Sequence, residues 1–350
     1  MSGGVDSSMA AALLVEQGYD VIGIMMRLWA EDYAGEGAGN LCCSPEAVDD
    51  ARRVSQRLGI PFYLTNFERE FEARVVQQFC AEYARGRTPN PCIACNRYIK
   101  FDLLLRRAQS LGAHYLATGH YARIRQVDGR YQLLRGADPQ KDQSYMLYML
   151  GQEQLGRVLF PVGEYTKAQV REMAARRGLI TASKSDSQEV CFIPDNDYRR
   201  FLRHRDPDVA RPGPIVDIDG KVLGQHGGLA FYTIGQRQGL GIPYHYPLYV
   251  VDLDPVRNAV VVGPAKGLER RELVAEDTSF VSGHAPADPM EVTVQVRYRV
   301  EDAPATLIVL PNNQARVIFK QPQRGIAPGQ AVVFYEGEVV LGGGTICQTR

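Results

Sequence analysis

The sequence predicts an α/β domain built on a parallel sheet, followed by a β-rich region that ends in a barrel. Helical and strand patterns alternate through about the first 195 positions, which is typical of a parallel sheet covered by helices. From Gly213 onward, short alternating runs separated by turns replace that pattern. With 350 residues, the chain is long enough for two or three domains.

The predicted elements of the first half have distinct start and stop signals. A helix is predicted over 7–17 and a buried strand over 21–28, because apolar residues recur there first at helical spacing and then without interruption. Ser44 and Pro45 predict the cap and the first position of a second helix, which ends at Gly59. Later elements are, in order, a strand over 61–64, helices over 67–85 and 98–111, a strand over 115–118, a hairpin turning at Asp128-Gly129, and a helix from the capping box Thr166-x-x-Gln169 to Gly178.

Two changes of character, near positions 195 and 270, divide the chain. Apolar and polar residues alternate over 315–319 and 331–335, and turns are predicted at Asp219-Gly220 and Glu336-Gly337. We therefore predict an N-terminal domain over 1–195, a small β-rich central domain over 196–270 and a C-terminal β-barrel over 271–350.

Charge and hydropathy limit the environment of the protein. Lys+Arg and Asp+Glu each number 40, so the chain has no overall field that would attract a polyanion. Local basic runs still offer phosphate contacts, although a single run is more often a solvated face. These runs are Arg199, Arg200, Arg203, His204 and Arg205, and Arg297 with Arg299. No apolar run approaches the ~20 residues of a membrane span, and no signal peptide is recognised, so we expect a cytoplasmic protein without a membrane partner.

The seven cysteines are an odd number in a long chain without secretory features. This predicts reduced thiols that serve catalysis or metal binding. Cys92 and Cys95 lie in polar, turn-like sequence before a predicted helix, whose N-terminus would stabilise a thiolate. Cys191 lies in the string Ser-Gln-Glu-Val-Cys-Phe-Ile-Pro at 187–194. The remaining cysteines lack such settings: Cys42, Cys43, Cys80 and Cys347.

Positions 2–8 form a candidate phosphate loop, Ser-Gly-Gly-Val-Asp-Ser-Ser, directly before the first predicted helix. Gly3 and Gly4 let the backbone approach an anion closely. Successive N–H groups form a concave nest, and the helix N-terminus adds partial positive charge. Asp6 is predicted either to hold Mg²⁺ or to orient the loop. The sequence does not match the Walker loop of kinases and GTPases.

This string resembles the PP-loop of the ATP pyrophosphatases, whose domain is of the adenine nucleotide alpha-hydrolase type. The resemblance covers about the first 190 residues. It implies that ATP is cleaved between the α- and β-phosphates and that AMP is left on a substrate oxygen. Since a phosphate loop follows a strand and this one begins at position 2, we expect the preceding strand to be missing from this chain, through a misassigned start codon or a truncation.

Further motifs are spread over the whole chain. They are Ser2–Ser8, Thr88–Pro91, Cys95-Asn96, Ile99–Phe101, Ala117–Tyr121, Lys141–Tyr145, Cys191–Ile193, Gly235–Leu240 and Leu341–Gly344. In this order they resemble the bacterial tRNA-specific 2-thiouridylases. The resemblance implies an enzyme that uses ATP and Mg²⁺ to replace the C2 oxygen of the wobble uridine with sulfur, in tRNA for Lys, Glu or Gln.

The resemblance also implies a two-stage reaction. ATP converts the C2 oxygen, a poor leaving group, into an adenylate, and sulfur then displaces AMP. Cys191 corresponds to the cysteine that carries a persulfide, loaded by a sulfur-relay protein or a cysteine desulfurase. Cys95 corresponds to the partner nucleophile, which attacks the persulfide and leaves a Cys95–Cys191 disulfide; in an alternative, the persulfide attacks directly. The wobble uridine lies in a single-stranded loop, where flipping a base costs little.

Binding residues follow from the same motifs. The expected ATP site comprises Met1, Ser2, Gly3, Gly4, Val5, Asp6, Ser7, Met26 and Gly119. The expected contacts of the target base are Asn90, Pro91 and Cys92. The expected tRNA contacts are His120, Lys141, Asp142, Gln143, Arg297, Tyr298 and Gln330.

Cys92 departs from the family pattern, because many members carry Asp there. Three interpretations are open. Cys92 acts as a base after losing its proton, or it forms a resolving disulfide with Cys95. In the third, Cys92, Cys95 and Cys191 hold an iron–sulfur cluster of the [4Fe-4S] type, with one iron open to sulfide.

Two other functions fit parts of the pattern. A PP-loop synthetase that adds ammonia to an adenylated carboxylate would work without Cys95 and Cys191. A non-catalytic RNA-binding protein with a degenerate ATP site would bind tRNA without releasing AMP. The thiolation hypothesis accounts for the loop and for both thiols.

Overall fold

The computed structural model describes residues 1–29, 44–185, 190–193 and 195–350. Its first elements are α1 (Val5–Glu16), β1 (Gly23–Arg27), α2 (Pro45–Leu58) and β2 (Phe62–Asn66), with β1 and β2 paired in parallel. The predicted cap of α2 is confirmed: the Ser44 hydroxyl accepts a hydrogen bond from the Ala47 N–H at 3.2 Å, and the helix ends at left-handed Gly59.

Two long helices follow, and each contains a π-helical segment. Helix α3 spans 68–84 through Glu68–Phe71, the π segment Glu72–Val76 and Gln77–Ala84. Helix α4 spans 91–110 through Pro91–Ala94, the π segment Cys95–Leu104 and Leu105–Ser110.

The prediction that α4 begins near Tyr98 is wrong. The helix begins at Pro91, because the Asn90 side chain caps it. Cys92 and Cys95 therefore lie inside the helix, rather than in a turn before it.

The next elements are β3 (Leu116–Ala117), β4 (Ala122–Val127), β5 (Arg130–Arg135), α5 (Gln152–Leu155), β6 (Val158–Leu159) and α6 (Lys167–Arg176). Strands β4 and β5 form the predicted hairpin, and the capping box at Thr166 is present. Strand β3 pairs in parallel with β6. Among the described residues of the first region, the parallel strands thus form two separate pairs, β1–β2 and β3–β6, rather than one continuous sheet. Strands β3 and β6 have two residues each, which leaves few backbone groups to pair with further strands.

A helix and a four-stranded sheet follow position 195. The helix is α7 (Tyr198–Arg205), and the strands are β7 (Gly213–Asp217), β8 (Val222–His226), β9 (Tyr249–Asp254) and β10 (Ala259–Gly263). The strand order is β8-β7-β10-β9, in which β7 and β10 run parallel. The predicted turn at Asp219-Gly220 joins β7 to β8.

The last part of the chain is a closed barrel of six strands. They are β11 (Glu269–Phe280), β12 (Met290–Gln295), β13 (Ala303–Leu310), β14 (Gln314–Arg324), β15 (Ala331–Glu336) and β16 (Val339–Thr349). Pairing of β11 with β16 closes the barrel. The hairpin of the first region extends it, because Leu134 of β5 pairs with Val339 of β16.

The largest apolar core contains residues from all three regions. Phe79 of α3, Phe231 of the central region and Val333 of the barrel belong to it, and each is at most 4% exposed. The barrel is therefore packed directly against the helices of the first region, and the segment between α3 and α4 lies at their junction. In the described residues, no helix has the length and apolar character needed to cross a bilayer.

Candidate active site

The phosphate loop is ordered by its own serines and by a close backbone contact. The Ser2 N–H donates to the Ser7 hydroxyl at 3.0 Å, and the Ser7 and Ser8 hydroxyls donate to the Gly4 carbonyl at 3.2 and 2.9 Å. Gly3 has a φ of +69°, and a Cβ there would lie 2.5 Å from the Ala47 carbonyl oxygen. Glycine is therefore required at position 3 by both conformation and space.

The Asp6 side chain is held by hydrogen bonds from residues outside the loop. Both of its carboxylate oxygens accept hydrogen bonds from the Lys167 ammonium at 2.8 Å, and the Tyr121 hydroxyl donates to one of them at 2.7 Å. Lys167 is only 9% exposed, an unusual position for lysine that an ion pair makes tolerable. Of the two roles predicted for Asp6, this arrangement fits orientation of the loop, because a carboxylate engaged on both oxygens is poorly placed to bind Mg²⁺.

Gly119 and Tyr121 brace the same turn. A Cβ on Gly119 would lie 2.6 Å from the Asp6 carbonyl carbon and 2.7 Å from the Ser7 nitrogen. The strand end at Gly119 therefore lies in direct contact with the phosphate loop, as the ATP-site prediction requires. Gln143 fixes Tyr121 in turn, because its side chain accepts from the Tyr121 N–H at 3.0 Å and its own N–H donates to the Tyr121 carbonyl at 2.8 Å.

Two further predicted ATP-site residues lie beside strand β1. Met26 is half-buried on that strand, paired in register with Thr65. The Met1 ammonium donates to the Ile24 carbonyl at 2.6 Å. Burial, with a smaller contribution from the Lys100 charge, lowers the pKa of that amino group to about 6.

His120 lies in the interior at 9% exposure, packed against the rings of Phe101 and Phe160, which also contact each other. Its Nδ1 is 2.7 Å from the Thr118 hydroxyl. Burial, and then the nearby Lys100 charge, hold its pKa well below the usual value for histidine, so the ring is neutral at pH 7. The structure thus places this predicted tRNA contact next to the phosphate loop instead of on an open surface.

Asp142 organises the turn that follows β5. Its carboxylate accepts from the Gly136 N–H at 2.9 Å and from the Ser144 N–H and hydroxyl at 3.0 and 2.9 Å, and it pairs with Arg135 at 3.3 Å. Its side chain is 9% exposed. Asp142 therefore has a structural position, while Lys141 beside it is half-buried.

The segment that leads into α4 is held by both other regions of the chain. The Thr88 N–H donates to the Pro328 carbonyl at 2.8 Å, and the Gln330 side chain donates to the Thr88 carbonyl at 2.7 Å. The Thr88 hydroxyl is 3.2 Å from the hydroxyl of Thr233. Gln330, predicted as a tRNA contact, therefore positions the segment that contains the predicted base-binding residues.

A cleft of about 550 Å³, counted with its opening to solvent, lies at this junction. It lies between α3, the start of α4 and the barrel. Its lining includes Pro89, Asn90, Pro91, Arg97, Tyr148 and Thr345. Two of the three predicted base contacts, Asn90 and Pro91, thus face one cavity, and exposed Cys92 follows them in the first turn of α4.

The two predicted catalytic thiols belong to one packed core. Cys95 is 7% exposed within it, and half-buried Cys191 packs against it. The next residue, Phe192, is fully buried, with its ring centre 5.3 Å from that of Phe79, which also lines the cleft. The fold therefore brings positions 95 and 191 into the same core.

Helix α4 carries both Cys95 and Lys100, five residues apart in its π segment. The Lys100 charge adds to the effect of burial in lowering the pKa of His120 and of the Met1 amino group. One helix therefore contains a predicted catalytic thiol and a cation that acts on two groups beside the phosphate loop.

The described residues do not gather a metal-ligand set. Among them, no three or more His, Cys, Asp or Glu side chains are placed to hold one metal ion. Cys92, Cys95 and Cys191 are all described, so their arrangement does not fit the iron–sulfur interpretation. Cys42 and Cys43 lie outside the described residues, as do positions 187–189 and 194 of the motif around Cys191.

The remaining predicted tRNA contacts lie just after β12. Arg297 is exposed. Tyr298 is half-buried, with its ring centre 6.0 Å from that of Tyr145, and burial raises its pKa above the usual value for tyrosine. Arg299 lies over the Tyr298 ring at 5.1 Å. An exposed cation beside an aromatic ring suits contact with RNA.

Sequence reasoning missed Lys167 and the positioning role of Tyr121. Lys167 is the first residue of α6, immediately after the correctly predicted cap Thr166. A lysine in a first helical turn is unfavourable to the helix dipole, and this was the signal available in the sequence. The partner itself, 161 positions away, was not readable.

Three sequence profiles match the chain. A profile described as tRNA methyl transferase HUP domain matches residues 1–195, one described as tRNA methyl transferase PRC-barrel domain matches 199–264, and one described as Aminomethyltransferase beta-barrel domain matches 270–346. The profile descriptions name methyl transfer, whereas the full-length relatives have another name. The relatives are the more specific guide, because they match nearly the whole chain.

These relatives are called tRNA-specific 2-thiouridylase MnmA. The protein of Carboxydothermus hydrogenoformans is 53% identical, covering 99% of this chain and 96% of that protein. The corresponding values are 54%, 99% and 91% for Heliobacterium modesticaldum, and 54%, 99% and 98% for Moorella thermoacetica. A solved structure of the U34-tRNA thiolase NcsA from Methanococcus maripaludis, with its [4Fe-4S] cluster, matches at 20% identity and a TM-score of 0.34, covering 59% of this chain and 65% of that one. That structural similarity is too low to support a conclusion.

Proposed function

Because this chain belongs to the tRNA-specific 2-thiouridylase family, we propose that it thiolates C2 of the wobble uridine in tRNA for Lys, Glu or Gln. In this proposal ATP, bound with Mg²⁺, adenylates the C2 oxygen, and a cysteine persulfide supplies the sulfur. The products are 2-thiouridine, AMP and pyrophosphate. The proposed domains are 1–195 for catalysis, 196–270 as a central module and 271–350 as a tRNA-contacting barrel.

The phosphate loop is the proposed ATP site. Gly3 and Gly4 offer backbone N–H groups to the phosphates, and α1 contributes the positive end of its dipole. Lys167 compensates the charge of Asp6, so the carboxylate does not repel the nucleotide. The neutral His120 ring adds no competing charge nearby.

Sulfur transfer is assigned to Cys191 and Cys95. Cys191 carries the persulfide, and the Cys95 thiolate attacks the sulfur of Cys191. This breaks the S–S bond of the persulfide, releases sulfide and forms a Cys95–Cys191 disulfide. Sulfide adds to C2, and AMP leaves with the former C2 oxygen. The two electrons that reduce the persulfide sulfur come from the Cys95 thiol, so each turnover ends with a disulfide that an external thiol must reduce.

The observation that carries this proposal is the full-length similarity to the tRNA-specific 2-thiouridylases, together with thiols at positions 95 and 191 that both belong to the core shared by the three regions. An amidating synthetase would have no use for those two thiols. Exposed Cys92, beside the cleft residues Asn90 and Pro91, is assigned to proton transfer at the base.

The test incubates the protein with ATP, Mg²⁺, a persulfide donor and unmodified tRNA. We expect 2-thiouridine and AMP to form together. Cys191→Ser should abolish 2-thiouridine and AMP release while pyrophosphate and adenylated tRNA still form, because adenylation precedes sulfur transfer. Cys347→Ser is the matched control: it removes a half-buried thiol of the barrel whose Sγ lies 3.3 Å from the Val274 carbonyl.

Two results would contradict the proposal. An unaltered protein that forms neither AMP nor 2-thiouridine would remove the enzymatic function. A Cys191→Ser variant that still thiolates tRNA would remove the persulfide role. Iron and sulfide analysis after anaerobic purification tests the cluster interpretation separately, since iron-free protein that thiolates tRNA excludes it.

A further inference from the structure

The connection between the 3-10 turn Leu229–Phe231 and β9 contains a glycine-rich loop, 233–241. Gly235, Gly239 and Gly241 have φ values of +89°, +76° and +68°. These left-handed conformations favour glycine, so this backbone path depends on all three residues. Arg237 and Gln238 lie at the exposed tip between the first two glycines.

The tip of this loop is fixed by hydrogen bonds. The Gly235 N–H donates to the Val250 carbonyl at 2.8 Å, and the Val250 N–H donates to the Gln236 carbonyl at 2.9 Å. The Gln236 side chain donates to the Gln238 carbonyl at 2.9 Å and accepts from the Thr233 N–H at 3.2 Å. The arginine at the tip therefore projects from an ordered backbone.

A second arginine lies beside the loop. One terminal nitrogen of Arg199 is 4.0 Å from the position that a Cβ on Gly239 would occupy. Its Nε is buried and has no hydrogen-bond partner in the structure, and its guanidinium lies 5.8 Å from the Tyr198 ring centre. Among the described residues, neither Arg199 nor Arg237 forms an ion pair.

Other arginines of the same helix are compensated. Arg200 pairs with Asp195 at 2.7 Å, and Arg205 pairs with Glu72 at 3.1 Å. The basic run of α7 is therefore a solvated and paired face at these positions, as its composition suggested. Arg199 differs from them because, among the described residues, it pairs with no carboxylate, and one of its terminal nitrogens lies near Gly239 of the loop.

The loop adjoins the segment that leads to the base cleft. The Thr233 hydroxyl is 3.2 Å from the Thr88 hydroxyl, one residue before Pro89 in the cleft lining. On its other side, the Cβ position of Gly235 is 3.8 Å from the Gly325 Cα of the barrel. An RNA strand that delivers a nucleotide to the cleft would pass close to this junction.

We propose that Arg199 and Arg237 form a phosphate-binding site that grips the tRNA backbone next to the target nucleotide. The inference rests on the proposed function and adds a contact surface from the central region. Guanidinium groups suit phosphate because their N–H donors match two oxygens at once. Contacts of this kind position a nucleic acid without reading its sequence.

The experiment measures the Kd of the full-length protein for unmodified tRNA at several salt concentrations. Arg237→Ala and Arg199→Ala should each weaken binding about tenfold and reduce the slope of log Kd against log salt by about 0.7 to 0.9, the value expected for one lost phosphate contact. Arg200→Ala, next to Arg199 but paired with Asp195, should keep both values. Arg199→Lys retains the charge and should recover part of the affinity.

The outcomes separate this inference from the proposed function. Unchanged Kd and slope in Arg237→Ala, with an unaltered protein that binds and thiolates tRNA, would overturn the phosphate site alone. Equal losses of tRNA affinity in Arg200→Ala and Arg237→Ala would also overturn it, since any positive charge on this surface would then contribute to binding in the same way. An unaltered protein with no affinity for tRNA would overturn both proposals.

Discussion

The phosphate loop and the thiol region are held in different ways. The loop is fixed by polar contacts, in which Lys167 and Tyr121 hold Asp6 and the Gly119 backbone touches the turn. The thiol region is fixed by apolar packing, in which Cys95 and Cys191 lie against a cluster of aromatic rings. The phosphate loop is thus held by directional hydrogen bonds and an ion pair, and the thiol region by close packing of uncharged side chains.

This difference matches the chemistry proposed for each part. Phosphates of ATP need donors at defined positions before the reaction begins, so a loop that is already braced avoids reorganisation. A cysteine that must receive sulfur from a donor and pass it on needs shielding from solvent, but it needs no hydrogen-bond donors at fixed positions. Altering one region should therefore affect adenylation, and altering the other should affect sulfur transfer.

The largest effect is expected from Lys167→Met. Without the ammonium, the Asp6 carboxylate loses its main partner and repels the nucleotide, so kcat/KM for AMP formation should fall about 100-fold. The free energy of unfolding should fall by about 2 kcal/mol, because one member of a largely buried pair is removed. Steady-state kinetics at varied ATP and denaturant titration measure the two effects.

Lys184→Met is the matched control for that variant. Lys184 also pairs with an aspartate at 2.8 Å, Asp50, but it is 38% exposed and its partner is not a residue of the loop. It should lose little stability and keep the rate of AMP formation. The double variant Asp6→Asn/Lys167→Met should recover stability but not activity; a Lys167→Met enzyme with normal ATP kinetics would show that the clamp is dispensable.

A smaller effect, on sulfur transfer rather than on adenylation, is expected from Phe192→Leu. Phe192 follows Cys191 and packs on Phe71, Phe79 and Phe201, with ring centres 5.3 to 5.7 Å away. Loosening this contact should displace the thiol and slow 2-thiouridine formation about tenfold while pyrophosphate release by adenylation continues, since small misplacements of reacting groups are costly. Single-turnover assays of 2-thiouridine and of pyrophosphate measure the two stages separately.

Stability alone has to be separated from that effect. Phe334→Leu removes similar volume from the barrel core, where Phe334 is fully buried, and should cost a similar 1 to 2 kcal/mol, roughly. It should slow neither product. Parallel loss of pyrophosphate release and 2-thiouridine formation in Phe192→Leu would contradict the separate roles of the two regions.

Local signals in the sequence predicted much of the fold. The cap at Ser44, the capping box at Thr166 and the hairpin turn at Asp128-Gly129 all depend on residues a few positions apart, and all are present. Alternation of apolar and polar residues, which reports directly on the two faces of a strand, predicted a β-rich terminal region, and the structure shows that this region closes into a barrel.

The predictions that failed or were missed depend on longer contacts. Helix α4 begins seven residues earlier than predicted, because the cap formed by Asn90 outweighs the turn-like composition around Cys92. The clamp of Asp6 by Lys167 spans 161 positions, and the hold of Gln330 on Thr88 spans 242. Sequence spacing does not encode such pairs. Gln330 and Gln143 hold other parts of the site in the structure, and their contact with tRNA stays a prediction.

The smallest effect is the pH dependence of folding stability contributed by His120, which lies beside the phosphate loop. Burial and the Lys100 charge lower its pKa in the folded protein, whereas in the unfolded chain it is near 6.5. Below pH 6.5 the unfolded state therefore binds more protons than the folded state, and stability is lost as the pH falls. The loss from this residue is at most about 2 kcal/mol between pH 7 and pH 5, the limit for a side chain that stays neutral in the folded protein. His226 is also buried with a lowered pKa and contributes its own slope, so the informative quantity is the difference between the unaltered protein and His120→Gln in denaturant titrations at both pH values. The variant should lose less stability over that interval; an identical loss in both proteins would mean that His120 becomes protonated in the folded state as readily as in the unfolded chain.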